Sequence, residues 1–276
     1  MEKEIKHYSF QILSSDILKI FAVITMLIDH VGAGIIEYQY LSGQYPFGMD
    51  AGAVLNMYNI FRQIGRQAFP IYCFLLIEGF MYTRSRKNYL RNLLIFAFIS
   101  ELPFDFALIG NDITDFDFIF NLKWYWPDFI KSQNVYFTLA IGFIVIWISD
   151  LFWKKVVPGY DVSKFFKDRL TAIIVTVSVT IAGCLLANAL RTDYKYWGII
   201  IIVIFYIFRA MFPISQIAGY LTLSNLYLEE YSLLAFVLTA LYNGKRSETI
   251  KKFKYFFYFF YPVHLALIFI IRCILY

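Results

Sequence analysis

The segment ILKIFAVITMLIDHVGAGII, residues 17–36, is an almost wholly apolar run near the start of the chain. A helix needs about 20 predominantly apolar residues to cross the hydrocarbon core of a bilayer, which is roughly 30 Å thick. We therefore predict that this segment is a transmembrane helix. Asp29 and His30 lie inside it, although burial strongly penalises an ionised form of either side chain.

The composition of the whole chain is typical of a membrane protein. Of its 276 residues, 60% are hydrophobic and 16% are charged, whereas a soluble domain carries about 25% charged residues. Backbone groups in lipid must be hydrogen-bonded within their own segment, which a helix achieves. We predict one integral-membrane domain over residues 1–276, with an all-α, polytopic helical bundle as its fold class.

Apolar blocks recur along the sequence and predict about nine transmembrane helices. They cover residues 17–36, 59–82, 91–109, 134–153, 170–190, 197–211, 213–228, 231–243 and 255–275. The seventh and eighth blocks are shorter than the usual crossing length, which leaves open a tilted or partly re-entrant hairpin. No small-residue cleavage pattern follows the first block, so we expect it to remain in the protein as a span.

Three basic clusters predict the topology. Lysine and arginine concentrate at residues 84–91, 154–169 and 245–254, and such loops stay on the cytoplasmic side of a membrane. We therefore predict a cytoplasmic N-terminus and an outward-facing C-terminus. Residues 110–133, which are rich in aspartate and aromatic residues, are expected to form an extracytoplasmic interfacial loop.

Asp29 and His30 are expected to have different partners. Adjacent residues on a helix point about 100° apart, so the two side chains cannot act as one hydrogen-bonded dyad. We expect His30 to face a reaction cavity beside arginines of the second span, and Asp29 to brace a different neighbour. A purely structural role, in which both side chains tie helices together, stays open. The three histidines form no cluster with cysteine, so we predict no metal site.

The second and third predicted spans contain further charged residues. Arg62 and Arg66 are four residues apart and so share one helix face. Two guanidiniums in this arrangement form a clamp suited to a phosphate, a carboxylate or a developing oxyanion. The alternative is an ion pair with Glu101 and Asp105 of the third span, and both interpretations can hold together.

The last predicted span contains a histidine near a proline. His264 follows Pro262 by two residues. Proline kinks a helix and frees a backbone carbonyl, which opens room for water or a ligand. A structural hydrogen bond between helices and a functional role both stay open for His264.

Several segments together resemble the TraX family. They are LIDHVG at 27–32, RQIGRQAFPIYCFLLIEGFMYTRSRKNYLRNLLIFAFISELPFD at 62–105, NVYFTL at 134–139, TDY and WG within 192–198, LYNGKR at 241–246 and KYFFYFFYPVHL at 254–265. Their order and spacing carry the resemblance across nearly the full chain. It implies a bacterial, multi-pass protein of the cytoplasmic (inner) membrane that transfers an acetyl group from acetyl-CoA, as co-substrate, to the N-terminus of a pilin.

The chain is also similar to a wider class of transmembrane acyltransferases, in which a histidine in an early span and arginines in the following span are linked to transfer. This resemblance points to His30 as the general base and to Arg62 or Arg66 as the group that stabilises the thioester oxygen. Four more residues are expected to position these groups or relay the proton, namely Asp29, Glu78, Glu101 and His264. The residues expected to contact acetyl-CoA on the cytoplasmic side are Glu78, Arg84, Arg86 and Lys87.

Two other classes of function stay open. A proton-coupled transporter or flippase for a small anionic or lipid-linked substrate would use the same charged groups as a relay, although the internal repeat common in transporters is not visible. A purely structural or assembly role explains buried charges less well, because they are costly. The expected partners are the lipid bilayer, acetyl-CoA and an extracytoplasmic amine or hydroxyl acceptor on a peptide, a protein N-terminus or a glycan. We expect no nucleic-acid partner, and the sequence does not predict the oligomeric state.

Overall fold

The computed structural model describes residues 8–109, 131–156, 162–245 and 254–276. Helices dominate these residues, so the predicted all-α fold class is confirmed. The helices are α1 Ser15–Val31, α2 Glu37–Ser42, α3 Ala51–Gly65, α4 Ala68–Tyr82, α5 Arg86–Phe104, α6 Val135–Trp153, α7 Val162–Ala189, α8 Lys195–Ile207, α9 Ile214–Leu223, α10 Leu233–Ala240 and α11 Lys254–Leu275. Most of the predicted 110–133 loop lies outside the described residues.

Fewer helices than predicted are long enough to cross a membrane. Within the described residues, five helical stretches meet the length and hydropathy that a span requires, namely Ser15–Ser42, Arg86–Ile109, Val135–Trp153, Ser163–Ala189 and Tyr255–Leu275. The helix Lys195–Ile207 is apolar but shorter. The prediction of a polytopic bundle is consistent with these helices, but the number of about nine spans is not confirmed.

The first span consists of two α-helices joined by a π-helical turn. Ser14 caps the start of α1 by accepting a hydrogen bond from the Ile17 amide, and α1 passes through a π-helical turn at Gly32–Ile36 into α2. The stretch Ser15–Ser42 contains 28 residues, or about 42 Å at 1.5 Å per residue. Asp29 and His30 therefore lie near its middle.

The segment predicted as one span at 59–82 is two helices. Helix α3 starts after Asp50, whose carboxylate caps the Ala53 amide at 2.7 Å, and it ends at Gly65. Here the Arg66 side chain donates from Nε to the Arg62 carbonyl at 3.0 Å, an acceptor that an unbroken helix would use for its own backbone. Both α3 and α4 pack against α1, so the break between them lies beside the middle of the first span.

The two short blocks form a helical hairpin. Helix α9 has 10 residues and α10 has 8, or about 15 Å and 12 Å, and neither length crosses the hydrocarbon core. Both ends of the hairpin lie beside the residues that precede α1. Phe212 contacts the ring of Phe10, and the Leu241 carbonyl accepts from the Leu13 amide at 2.9 Å.

The described parts of the three basic clusters lie at one end of the bundle. Ser15 donates its amide to the Lys245 carbonyl at 3.1 Å, and Arg86 and Lys154 both bind the Asp150 carboxylate. We call this region, where α1 begins and α4 ends, the basic end. The positive-inside rule predicts that it faces the cytoplasm, and this orientation stays a prediction.

The last helix ties the two π-helical turns together. The Arg272 side chain is wholly buried and donates to the carbonyls of Gly34, Phe106 and Ala107 at 2.5–3.1 Å. Those carbonyls belong to the turns Gly32–Ile36 and Asp105–Ile109. Charge-assisted hydrogen bonds are stronger than neutral ones, so this contact holds the first, second and last of the five long helical stretches in one arrangement.

Candidate functional site

Asp29 meets both arginines of the predicted clamp. Its carboxylate accepts from Arg62 Nη1 at 3.1 Å and from Arg66 Nη2 at 2.7 Å. Helices α1 and α3 come close together here because Gly65 has no side chain. A Cβ at that position would overlap the Asp29 side chain.

We predict that Gly65→Ala destabilises the protein by about 1–3 kcal/mol, because overpacking a close helix contact forces the backbones apart. The measurement is thermal unfolding of the purified protein in detergent. Gly52→Ala in the same helix is the matched control, since its Cβ would come within 3.3 Å only of the Asp50 carboxylate. An unchanged melting temperature for Gly65→Ala would mean that the close contact between Asp29 and α3 does not contribute to stability.

The tip of the hairpin completes what we call the arginine cluster, composed of Asp29, Arg62, Arg66 and Glu229. Arg66 Nη1 donates to Glu229 Oε1 at 3.2 Å, and Glu229 is 1% exposed. Gln67 holds the tip in place, because its amide donates to the Tyr231 carbonyl and accepts from the Ala235 amide. The break between α3 and α4 thus binds the hairpin through two successive side chains.

Asp193 and Tyr194 border the cluster in the turn between α7 and α8. The Tyr194 ring stacks on Phe69 at 3.5 Å, and the Asp193 carbonyl accepts from the Thr138 hydroxyl. Burial raises the pKa of the Asp193 carboxyl, and the nearby Arg66 guanidinium opposes this rise. Among the described residues, three carboxyl groups therefore surround two guanidiniums.

His30 pairs with His264, and their hydrogen bonds fix both tautomers. His264 Nδ1 lies 2.6 Å from the Phe260 carbonyl oxygen, which can only accept, so Nδ1 carries the proton. The neutral His264 ring then has an unprotonated Nε2, which lies 2.6 Å from His30 Nδ1. His30 must donate this second bond, which leaves a lone pair on its own Nε2.

The histidine pair, His30 and His264, is enclosed by aromatic rings. Its two rings are stacked with centroids 4.9 Å apart, and Tyr261 contacts each of them edge-on at 5.7 and 5.8 Å. His30 is 9% exposed and His264 is 4% exposed. The predicted separation of Asp29 from His30 is confirmed: Asp29 binds the arginines and His30 binds His264.

Glu101 and Asp105 lie away from the arginines, so the predicted ion pair with them is wrong. Glu101 accepts from the backbone amide of Asn134 at 3.2 Å and from its side-chain amide, while Asp105 is buried in the π-helical turn that follows α5. The physical reason is packing: α5 contacts α6 and α11, whereas α3 contacts α1. Glu101 therefore holds the start of α6.

A cavity of about 860 Å³ opens at the basic end. Of the residues predicted to contact acetyl-CoA, Glu78 and Arg84 line it. Arg86 instead binds Asp150 at 2.6 Å and lies 3.8 Å over the Phe80 ring. Lys87 is exposed outside this lining.

Glu78 is paired with a residue that the sequence did not single out. Arg209 Nε donates to Glu78 Oε1 at 2.8 Å and Nη2 donates to Oε2 at 3.4 Å. This two-pronged contact neutralises the carboxylate in the cavity wall, which would otherwise repel phosphate. Glu229 and Arg272 were also missed, because each lies at the edge of an apolar block and has no motif around it.

Comparisons with known proteins agree over almost the whole chain. The family model described as TraX protein matches residues 14–272. The chain is 25% identical over 289 residues to "Probable fimbrial assembly protein FimC, serogroup H1" from Dichelobacter nodosus, and the alignment covers 97% of each protein. No solved structure matches the chain. The extent of the family match shows that this protein belongs to the TraX family.

Proposed function

We propose that the protein is a membrane-embedded acetyltransferase, which moves an acetyl group from acetyl-CoA to an amine or hydroxyl of an acceptor. The observation that carries the proposal is the hydrogen-bonded chain from His30 through His264 to the Phe260 carbonyl, from which we infer an unprotonated Nε2 on His30. A buried imidazole with a fixed tautomer is suited to general-base catalysis. Because the relative is named a probable fimbrial assembly protein, a fimbrial subunit is the first acceptor class to test.

In the proposed reaction, His30 Nε2 takes the proton from the acceptor as its nitrogen or oxygen attacks the thioester carbonyl. The new carbon–nitrogen or carbon–oxygen bond forms, and the carbonyl oxygen gains negative charge. When this intermediate collapses, the carbon–sulfur bond breaks and the leaving thiolate receives the proton from His30. His264 stabilises the charged imidazole through its unprotonated Nε2, and it acts as a positioning residue.

Arg62 is better placed than Arg66 to stabilise the developing oxyanion. Arg66 binds two carboxylates and a backbone carbonyl, and its side chain is 13% exposed. Arg62 donates to Asp29 through Nη1, and its side chain is 22% exposed. Removal of one oxyanion donor costs known enzymes about 3–4 kcal/mol in the barrier.

The basic-end cavity supports the proposed route for acetyl-CoA. Its volume of about 860 Å³ lies within the roughly 300–1,000 Å³ typical of ligand sites. Arg84 lies at its rim beside the start of α5, where a helix N-terminus favours anionic groups. The phosphates of the donor would bind here, with the thioester directed into the bundle.

We predict that Arg84→Ala raises the KM for acetyl-CoA by about 10-fold, which corresponds to one charge-assisted contact of roughly 1.5 kcal/mol. The matched control is Lys87→Ala, since Lys87 is a nearby exposed cation outside the cavity lining. Acetyl-CoA titrations of both variants give the comparison. Equal KM values for the two variants would contradict this role for Arg84.

The proposed function is tested with the full chain reconstituted in proteoliposomes. Acetyl-CoA carrying a radiolabelled acetyl group is supplied with a peptide that has a free N-terminal amine, and a matched N-acetylated peptide serves as control. We expect label on the first peptide alone, together with release of CoA. Absence of label from peptides, glycans and fimbrial subunits alike would overturn the acetyltransferase proposal.

A transporter is the second candidate, and one observation favours it. A broken helix that faces a helical hairpin, with charged groups where they meet, is an arrangement that many transporters use to bind ions and substrates. The same vesicles distinguish the two functions. Uptake of an anionic solute without acetyl-CoA would support transport, whereas acceptor-dependent CoA release would support transfer.

A further inference from the structure

The inner wall of the basic-end cavity is held by an unusual hydrogen bond. Proline has no amide proton, so Pro262 leaves the carbonyl four residues earlier, that of Tyr258, without its helical donor. The Tyr136 hydroxyl donates to this carbonyl at 3.2 Å. Tyr136 and Tyr258 both line the cavity, and Tyr136 is 8% exposed. The position of the Tyr136 ring is therefore fixed by the kink in α11.

A second ring lies behind this wall. Tyr261 packs edge-on against Tyr136, with centroids 5.3 Å apart, and it also contacts the rings of His30 and His264 at 5.7 and 5.8 Å. Tyr261 is 3% exposed and, like His30, is outside the described cavity lining. The path from the cavity to the histidine pair thus crosses two closely packed rings.

We infer that Tyr136 and Tyr261, here called the tyrosine layer, determine which acyl groups reach His30 and restrict transfer to short ones. The inference rests on the proposed function. The acyl group leads the donor into the bundle, so it must displace the Tyr261 ring before its carbonyl approaches Nε2. Protein interiors are close-packed, so both rings must shift to let an acyl group pass, and a short chain needs only a small shift. A longer chain requires a larger shift, which breaks the bond between Tyr136 and the Tyr258 carbonyl.

The first test compares acyl-CoA donors of two, four and eight carbons, with hydroxylamine as a small acceptor and the acyl hydroxamate measured by mass spectrometry. For Tyr261→Ala, we expect the ratio of octanoyl to acetyl transfer to rise by at least about 10-fold, the discrimination typical of a mismatch in an apolar pocket. Tyr136→Phe keeps the ring but loses the bond to the Tyr258 carbonyl, so the ratio should rise, but by less than in Tyr261→Ala. Tyr82→Ala removes a cavity-lining ring at the rim and is the matched control.

The second test measures access to position 30 and does not depend on acyl transfer. In a chain whose native cysteines are replaced by alanine, the His30→Cys thiol is labelled with methyl and hexyl methanethiosulfonate, with and without CoA in the cavity. We expect the methyl reagent to react faster, CoA to slow both reactions, and Tyr261→Ala to remove the difference. Tyr261→Phe, which preserves packing, should retain it.

The outcomes separate the inference from the proposed function. Equal labelling rates for the two reagents, or a chain-length preference unchanged in Tyr261→Ala, would overturn the tyrosine layer as a filter. If the labelling difference is found but acetyl transfer is absent from the wild-type protein, the filter stands and the acetyltransferase proposal fails.

Discussion

Replacing His30 by alanine is expected to lower the rate of acetyl transfer by about 10²- to 10⁴-fold, the contribution of a well-positioned general base. The substitution removes the only atom of the histidine pair that the hydrogen bonds leave ready to accept a proton. The measurement is the initial rate of acceptor-dependent CoA release at saturating acetyl-CoA. Because His30 is not predicted to bind the donor phosphates, the KM for acetyl-CoA should change little.

Two variants control this experiment. His7→Ala removes the third histidine and should leave the rate unchanged. His264→Gln removes the partner of His30 but keeps His30 itself. We therefore expect a smaller loss of rate than in His30→Ala, together with a shift in the pH at which the rate falls. A His30→Ala enzyme that keeps the wild-type rate while folded would remove His30 from the mechanism.

Replacing Arg66 by methionine is expected to have the largest effect on stability, about 3–5 kcal/mol, as for other buried charges that lose a partner. The change leaves the carboxylates of Asp29 and Glu229 without their shared guanidinium. It also frees the Arg62 carbonyl at the helix break. Thermal unfolding in detergent, followed by size-exclusion chromatography of the soluble fraction, measures the loss.

The charge explanation for Arg66 has its own test. Adding Glu229→Gln to Arg66→Met removes the unpaired carboxylate and should restore part of the lost stability, whereas Glu229→Gln alone should destabilise the protein. Arg62→Met should cost less than Arg66→Met, since Asp29 keeps its 2.7 Å contact with Arg66. Equal losses for the two arginine variants would contradict the central role of Arg66.

The sequence predicts the helical elements well, because hydrophobic length is a local property. The blocks at 17–36, 134–153 and 255–275 correspond closely to helical stretches of the structure. The helix break at Arg66 is a different case, since it depends on a side-chain bond to the Arg62 carbonyl. The lengths of α9 and α10 alone left their path open. Their contacts with Leu13 and Phe10 show that they form a hairpin whose two ends lie together.

The sequence predicts most residues of the candidate site but only some of the contacts between them. His30, Arg62 and Arg66 stand out because ionisable residues are rare in spans. The structure places the two arginines on Asp29 and His30 on His264. The partner of His30 comes from a helix more than 200 residues away, a distance across which no local pattern operates. The sequence does not single out Glu229, because it is an ordinary polar residue in the short gap between two apolar blocks.

The final helix has a consequence for how the chain matures. It supplies both His264, which sets the tautomer of His30, and Arg272, which joins the two π-helical turns. Helices enter a membrane in the order of their synthesis, so an unfinished chain holds His30 without its partner and both turns without their shared donor. On the proposed function, the general base acquires its positioning partner, and the two turns their shared donor, only when the last helix is inserted.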